Sequence, residues 1–118
     1  MIRTRQPSVQ QHHNIDVRPI GTLVATIVRT FSPDQVWLFG SRARGDARER
    51  SDWDLLVVVP DDTQRELFDP QLAWRLQREM GTYADVVLLT RSEFAEDQDT
   101  ANSLPYLVAR EGALLYER

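Results

Sequence analysis

An uninterrupted apolar run, Leu55 to Val59, constrains the fold more than any other part of this 118-residue sequence. A strand without polar alternation is buried on both faces, so this segment is predicted to be the central strand of a sheet covered by helices. Asp52 and Asp54 stand at its start, two positions apart. Residues i and i+2 of a strand point to the same face, and aspartate is depleted in strands. The pair therefore needs a structural or chemical reason.

The other periodic patterns predict helices and strands around this central strand. Apolar residues recur at helical spacing in 19–31, in 63–80 with a break at Asp69-Pro70, and in 104–110. Short apolar or aromatic runs at 36–39, 84–89 and 113–116 predict further strands, and Ser92 is the expected cap of a helix through Gln98. We therefore predict an α+β (mixed α/β) domain, a small mixed β-sheet flanked by helices, with a core that includes Trp37, Phe39, Trp53 and Trp74.

Composition excludes several classes of protein. The chain has no cysteine, which excludes disulfides and thiol catalysis. No segment has the length of a membrane helix and residues 1–14 lack a signal-peptide core, so we expect a cytoplasmic protein without membrane contact. The net charge of -4 argues against direct nucleic-acid binding. Residues 1–16 are predicted to be a flexible lead and 17–118 a single domain; His12-His13 lacks a third histidine for a metal site.

A turn suited to phosphate binding precedes the central strand. Gly40 and Ser41 follow the strand at 36–39, and glycine lets the backbone approach a phosphate while the serine hydroxyl and helix-start N–H groups donate to it. All fourteen cationic side chains are arginine, the better bidentate phosphate ligand, and Arg42 and Arg44 are candidates to clamp a triphosphate. A tight turn with a serine cap beside a solvated charged loop would also explain these residues.

Paired carboxylates beside such a turn predict a metal site. Asp52 and Asp54 repel one another unless a cation lies between them, and Mg²⁺ prefers oxygen ligands. Asp85 begins the next predicted strand; if the two strands are neighbours, three carboxylates share one edge and can hold two metal ions about 3.5–4 Å apart. Taken singly, each aspartate also fits an ordinary strand-start or turn position.

Together these residues resemble the signature of the minimal nucleotidyltransferases, in the polymerase-beta-like nucleotidyltransferase superfamily. The motif is Gly-Ser at 40–41, then Asp52-Trp53-Asp54, then a later aspartate, here Asp85. The ending at 109–117 is also similar to that of these small proteins, so the resemblance covers about residues 21–117.

The resemblance implies a magnesium-dependent transfer of a nucleoside monophosphate, commonly from ATP. Gly40 and Ser41 would hold the β- and γ-phosphates, Asp52 and Asp54 would ligate two Mg²⁺ ions, and Asp85 would complete the site and help deprotonate the acceptor. Single-domain members resemble antitoxins that are paired with a HEPN-domain ribonuclease toxin. In that setting the resemblance implies adenylylation of a tyrosine of the toxin. It also implies a complex, as a homo- or hetero-oligomer. Two alternatives stay open: an antitoxin that acts by binding alone, and a small-molecule nucleotidyltransferase similar to the aminoglycoside-modifying enzymes.

Overall fold

The computed structural model describes residues 15–48, 52–81 and 83–118, and within them four strands form one sheet and five helices lie against it. The strands are β1 (Gln35–Phe39), β2 (Trp53–Val59), β3 (Ala84–Thr90) and β4 (Ala113–Glu117). The helices are α1 (Gly21–Phe31), α2 (Ser41–Arg44), α3 (Pro70–Met80), α4 (Arg91–Asp97) and α5 (Leu104–Glu111), with 3-10 turns at Arg18–Ile20 and Arg65–Phe68. The predicted α+β class and the order of elements are confirmed.

The sheet has the strand order β3-β2-β1-β4 and is mixed. β1 pairs antiparallel with both β2 and β4, whereas β2 and β3 are parallel. The apolar run at 55–59 lies in the interior strand β2, whose residues from Leu55 to Val59 are buried. The sequence predicted this central position because only a strand covered on both faces can be apolar at every residue.

Two hydrophobic clusters form the core, one on each face of the sheet. Leu55, Val57 and Val59 pack with α1, and apolar residues of α3 contact the same cluster. Leu56 and Val58 pack on the other face with Phe94 of α4 and Val108 of α5. Alternate residues of β2 therefore serve different clusters, as the two-residue period of a strand requires.

The predicted helix ends are correct at one place and shifted at another. The predicted break at Asp69-Pro70 is confirmed, because Pro70 begins α3 and the Asp69 side chain accepts a hydrogen bond from the N–H of Gln71. Ser92 is not the cap of α4. Thr90 is, in a reciprocal capping box with Glu93, since Thr90 directly precedes the helix and Glu93 stands three residues later.

The prediction that Trp74 belongs to the core is wrong, although Trp37 and Trp53 are buried with 8% and 7% exposure. Trp74 is 52% exposed. Leu72 and Leu76, four residues apart, occupy the face of α3 that packs on the sheet. Trp74 lies midway between them in sequence and therefore lies outside this packing face.

The N-terminal predictions fall mainly outside the described residues. His12-His13 and positions 1–14 of the predicted lead are outside them, while Ile15 packs against the first cluster. Among the residues that the structure describes, no helix combines the length and the apolar character needed to cross a membrane.

Gly112, between α5 and β4, lies where the neighbouring backbone leaves no room for a side chain. A Cβ at this position would lie 2.6 Å from the carbonyl oxygen of Val108 and 3.1 Å from that of Leu38. We expect Gly112→Ala to lower the free energy of unfolding by about 1–3 kcal/mol, because backbone must move. Gly21→Ala is the matched control, since its Cβ would meet no described atom within 4 Å. Thermal unfolding of both variants measures this; equal midpoints would contradict the packing of α5 against β1.

Candidate active site

The mixed topology brings the end of β1 and the beginnings of β2 and β3 to one end of the sheet. Phe39, the last residue of β1, is paired with Asp54, and Asp54 is in turn paired with Asp85. Neighbouring strands lie about 4.8 Å apart. The structure therefore places Gly40, Asp54 and Asp85 side by side, and the condition that β3 must neighbour β2 is met.

Asp54 lies at the centre of this arrangement and is electrostatically unfavourable when ionised. Its pKa is raised above the ordinary aspartate value, first by burial, then by the negative charges of Asp85 and Asp52. The positive charge of Arg44 acts in the opposite direction and lowers the pKa. Asp52 and Asp85 are exposed, so the partly buried Asp54 bears most of the cost of the shared charge.

The backbone of Gly40 passes directly against the Asp54 carboxylate. Gly40 has φ 75°, and a Cβ built there would lie 2.3 Å from Oδ2 of Asp54. A side chain would thus meet both an unfavourable backbone conformation and a collision. Glycine is therefore required at position 40 by the approach of the turn to the Asp54 carboxylate. This constraint is separate from the predicted contact of Gly40 with phosphate.

The short helix α2 carries the other three predicted phosphate ligands. Ser41 begins the helix, and Arg44 ends it with its Nε 3.2 Å from Oδ2 of Asp46. The guanidinium carbon of Arg42 lies 4.3 Å from the centre of the Trp53 ring. All three residues are near the carboxylates in the fold, but Arg42 and Arg44 point to different neighbours. No sequence pattern predicts the contact between Arg42 and Trp53.

The three aspartates are brought together without forming a finished metal cage. Within residues 15–48, 52–81 and 83–118, no group of three or more His, Cys, Asp or Glu side chains is arranged to hold a metal ion. The donor set nevertheless fits a hard divalent cation, because Asp54 interacts electrostatically with both Asp52 and Asp85.

A cavity next to Asp85 was not anticipated from the sequence. It has a volume of about 280 Å³ and lies between α3 and β3, where it is lined by Pro70, Ala73, Trp74, Gln77, Ala84, Asp85 and Val86. Gln77 fixes the start of β3, since its Oε1 accepts a hydrogen bond of 3.0 Å from the N–H of Ala84. The exposed indole of Trp74 thus belongs to a surface adjoining the carboxylates.

The raised pKa of Asp54 predicts a stability gain when its charge is removed. The pKa of Asp54 is higher in the folded state than in the unfolded state. Its contribution to the free energy of unfolding is therefore fully present at low pH and is lost as pH rises through the folded-state pKa. We expect Asp54→Asn, without divalent metal, to unfold a few degrees above the wild type at pH 7 and at the same temperature near pH 3. Thermal unfolding across this pH range measures it, with Asp62→Asn, at the far end of β2, as control. A less stable Asp54→Asn protein at pH 7 would contradict the mutual repulsion.

Comparison with known proteins agrees with this geometry. The fold is similar to a crystal structure from Sulfolobus solfataricus, of a protein provisionally described as a nucleotidyltransferase. The TM-score is 0.58 and the sequence identity is 21%, and the match covers 98% of this chain and 91% of that one. A toxin-antitoxin structure with AMP-PNP is similar with a TM-score of 0.56 and 23% identity, over 82% of this chain and 73% of that one. At these identities the likeness shows the fold. No curated protein matches the chain with significance.

The family assignment comes from the sequence match. Residues 22–109 match the family model of the nucleotidyltransferase domain, a span that contains the Gly-Ser turn and all three aspartates. This span covers well over half of the chain and begins and ends within the described helices α1 and α5. With the sheet order, the turn at Gly40 and the carboxylates of β2 and β3 in place, the chain belongs to the nucleotidyltransferase domain family.

Proposed function

We propose that this protein is a magnesium-dependent nucleotidyltransferase that transfers AMP from ATP to a hydroxyl group. The observation that carries the proposal is the alignment of Asp54 with Asp85 against the Gly40 turn. Carboxylates that repel each other in the protein alone are stabilised when a cation and a polyphosphate join them. The membership of the nucleotidyltransferase domain family supports the reaction type.

The residues around Gly40 would hold the polyphosphate end of ATP. Gly40 has no side chain to block the approach of the β- and γ-phosphates, and the Ser41 hydroxyl can donate a hydrogen bond to their oxygens. Arg44 is the arginine whose positive charge acts on Asp54, which supports its assignment as a phosphate ligand. This arrangement would hold the leaving pyrophosphate on the β1 side of the site.

Asp52, Asp54 and Asp85 are the residues that would hold the metal, in a site for two Mg²⁺ ions. Bound there, the ions would neutralise phosphate charge and make the acceptor hydroxyl easier to deprotonate. Burial of Asp54 and the exposure of Asp52 and Asp85 give the three residues different tasks. Asp54 is held in place by its strand partners, whereas the two exposed side chains can adjust.

The transfer itself would be a single in-line displacement. The acceptor oxygen forms a bond to the α-phosphorus as the bond from that phosphorus to pyrophosphate breaks, and the hydroxyl proton passes to Asp85. Because the leaving group lies toward β1, the acceptor enters from the β3 side, which is the edge of the sheet. Most of the acceleration would come from positioning and from charge neutralisation.

We infer that the acceptor is a hydroxyl on a partner protein, namely a HEPN ribonuclease toxin to which this chain, with residues 17–118 as its single domain, is the cytoplasmic antitoxin. The similar fold of a toxin-antitoxin structure with AMP-PNP supports this setting. The chain's own surface supports a protein partner, because Trp74 and Tyr83 are exposed close to the β3 edge. Exposed aromatic residues of this kind dominate the energetics of many protein interfaces.

An antitoxin that neutralises its toxin by binding alone is the second candidate, favoured by the same exposed aromatic residues. The two hypotheses differ in whether the carboxylates are needed to neutralise the toxin. A folded Asp52→Asn/Asp54→Asn variant that still neutralises the toxin would support binding alone. Loss of neutralisation with retained complex formation would support the enzyme.

Removal of one metal-ligating carboxylate should abolish most of the transfer. We expect Asp52→Asn to reduce label transfer from α-labelled ATP to the partner by about 10²-fold or more, since charge stabilisation at the reacting phosphate is lost. Asp62→Asn replaces an exposed aspartate at the opposite end of β2 and should transfer at the wild-type rate. Equal rates for Asp52→Asn and wild type would contradict the proposed reaction.

The close approach at Gly40 predicts a second and separable effect. Gly40→Ala and Gly81→Ala both place alanine at positive φ, 75° and 66°, which should cost about 1 kcal/mol of stability each. Only the Cβ at position 40 meets Asp54, so only Gly40→Ala should also lower the transfer rate, by about 10²-fold. Thermal unfolding and the transfer assay on both variants measure this. Equal activity of the two variants would contradict the role of the approach.

A further inference from the structure

The contact between Arg42 and Trp53 joins the two halves of the proposed site. Arg42 is the second residue of α2, directly after Ser41, and Trp53 is the first residue of β2, between Asp52 and Asp54. The guanidinium carbon lies 4.3 Å from the ring centre. At that distance a guanidinium over an indole face is held by a cation–π attraction, and tryptophan is the strongest of the aromatic partners.

Trp53 fixes the strand from which the carboxylates project. Its side chain is 7% exposed and belongs to the cluster that includes Leu55 and Val57. Asp54 alternates with these residues and so points to the other face of the sheet. Any tilt of the Trp53 ring would be carried through the backbone to Asp52 and Asp54, its two neighbours.

Arg42 correspondingly fixes the helix that carries the phosphate turn. Ala43, the next residue, is 1% exposed and belongs to the same cluster as Trp53. The four-residue helix α2 is therefore anchored by Ala43 in the core and by Arg42 on the indole. This second link supplements the strand pairing of Phe39 with Asp54 on the other side of Gly40.

The two arginines of α2 thus have different environments. The guanidinium of Arg42 lies over the Trp53 ring, whereas that of Arg44 lies beside Asp46. Arg44 also forms an ion pair with Asp46 and has a half-exposed side chain.

We propose that Arg42 and Trp53 form a bracket that sets the spacing between the Gly40-Ser41 turn and the carboxylates, so that both are positioning residues and Arg42 is not a phosphate ligand. The proposal rests on the proposed nucleotidyl transfer. It assigns a role to the residue between the two aspartates, which the motif leaves undefined. Displacement of reacting groups by about 1 Å can reduce rates by about 10²-fold, so a modest contact can have a large effect here.

A double-mutant cycle tests the bracket in the protein without metal or nucleotide. The variants are Arg42→Met, Trp53→Leu and the combination, with Arg42→Lys and Trp53→Phe as conservative changes that keep a cation and an aromatic face. We expect the double variant to lower the unfolding midpoint by less than the sum of the decreases in the two single variants. If the decreases in the unfolding midpoint are additive, the proposal is overturned. If Trp53→Leu does not fold, the same cycle is measured with Arg42→Lys and Trp53→Phe.

Kinetics with ATP then distinguish positioning from phosphate binding. We expect Arg42→Met to reduce kcat about tenfold with unchanged KM for ATP, the size of one partly desolvated cation–π contact, and Trp53→Phe to retain most of the activity. Arg44→Met is the matched control and should raise KM for ATP. A raised KM with unchanged kcat in Arg42→Met would make Arg42 a phosphate ligand and overturn the proposal. Absence of transfer by the wild type would instead refute the proposed function, which separates the two failures.

Discussion

Gly40 and Asp54 lie so close that a single added carbon at Gly40 would stand 2.3 Å from a carboxylate oxygen. This contact follows from the antiparallel pairing of β1 with β2, which places Phe39 opposite Asp54 and forces the next residue to turn across it. The turn, the helix α2 and the carboxylates of β2 and β3 are all arranged around this point. A fold that needed only a stable sheet would have no reason to place a glycine at positive φ directly against a partly buried carboxylate.

The site is destabilising for the domain that carries it. The strand β2 is apolar and buried along 55–59, and its contribution to stability comes from both faces of the sheet. Asp54, at the start of the same strand, is partly buried beside the negative charges of Asp52 and Asp85. The apolar burial along β2 offsets the electrostatic repulsion at Asp54. Binding of a cation and a polyphosphate would remove that repulsion. The apolar core and the candidate site thus lie at different ends of one strand.

Much of this arrangement was predictable from the sequence, because its signals are local. The apolar run at 55–59 identified the central strand, and Asp69-Pro70 identified the start of α3. The contact of Arg42 with Trp53 and the exposure of Trp74 were not predictable, since both depend on which side of an element meets the sheet. A helical pattern shows which residues are apolar, but Leu72 and Leu76 exclude Trp74 from the core only once α3 is docked. Likewise, Thr90 and Ser92 are both good caps, and the end of β3 decides between them.

The parallel pairing of β3 with β2 has a consequence for the site that lies outside it. Residues 86–89 of β3 are apolar on both faces, with Val86 and Leu88 in one cluster and Val87 and Leu89 in the other. A slip by one residue would therefore cost little burial, yet it would turn Asp85 to the opposite face, away from Asp54. Two polar contacts at the ends of β3 oppose such a slip. The Ala84 N–H donates to the Gln77 side chain of α3, and the N–H and hydroxyl of Ser92 donate to the carboxylate of Asp61, which follows β2. Contacts at the far end of β3, between Ser92 and Asp61, therefore help to keep the third carboxylate aligned with Asp54.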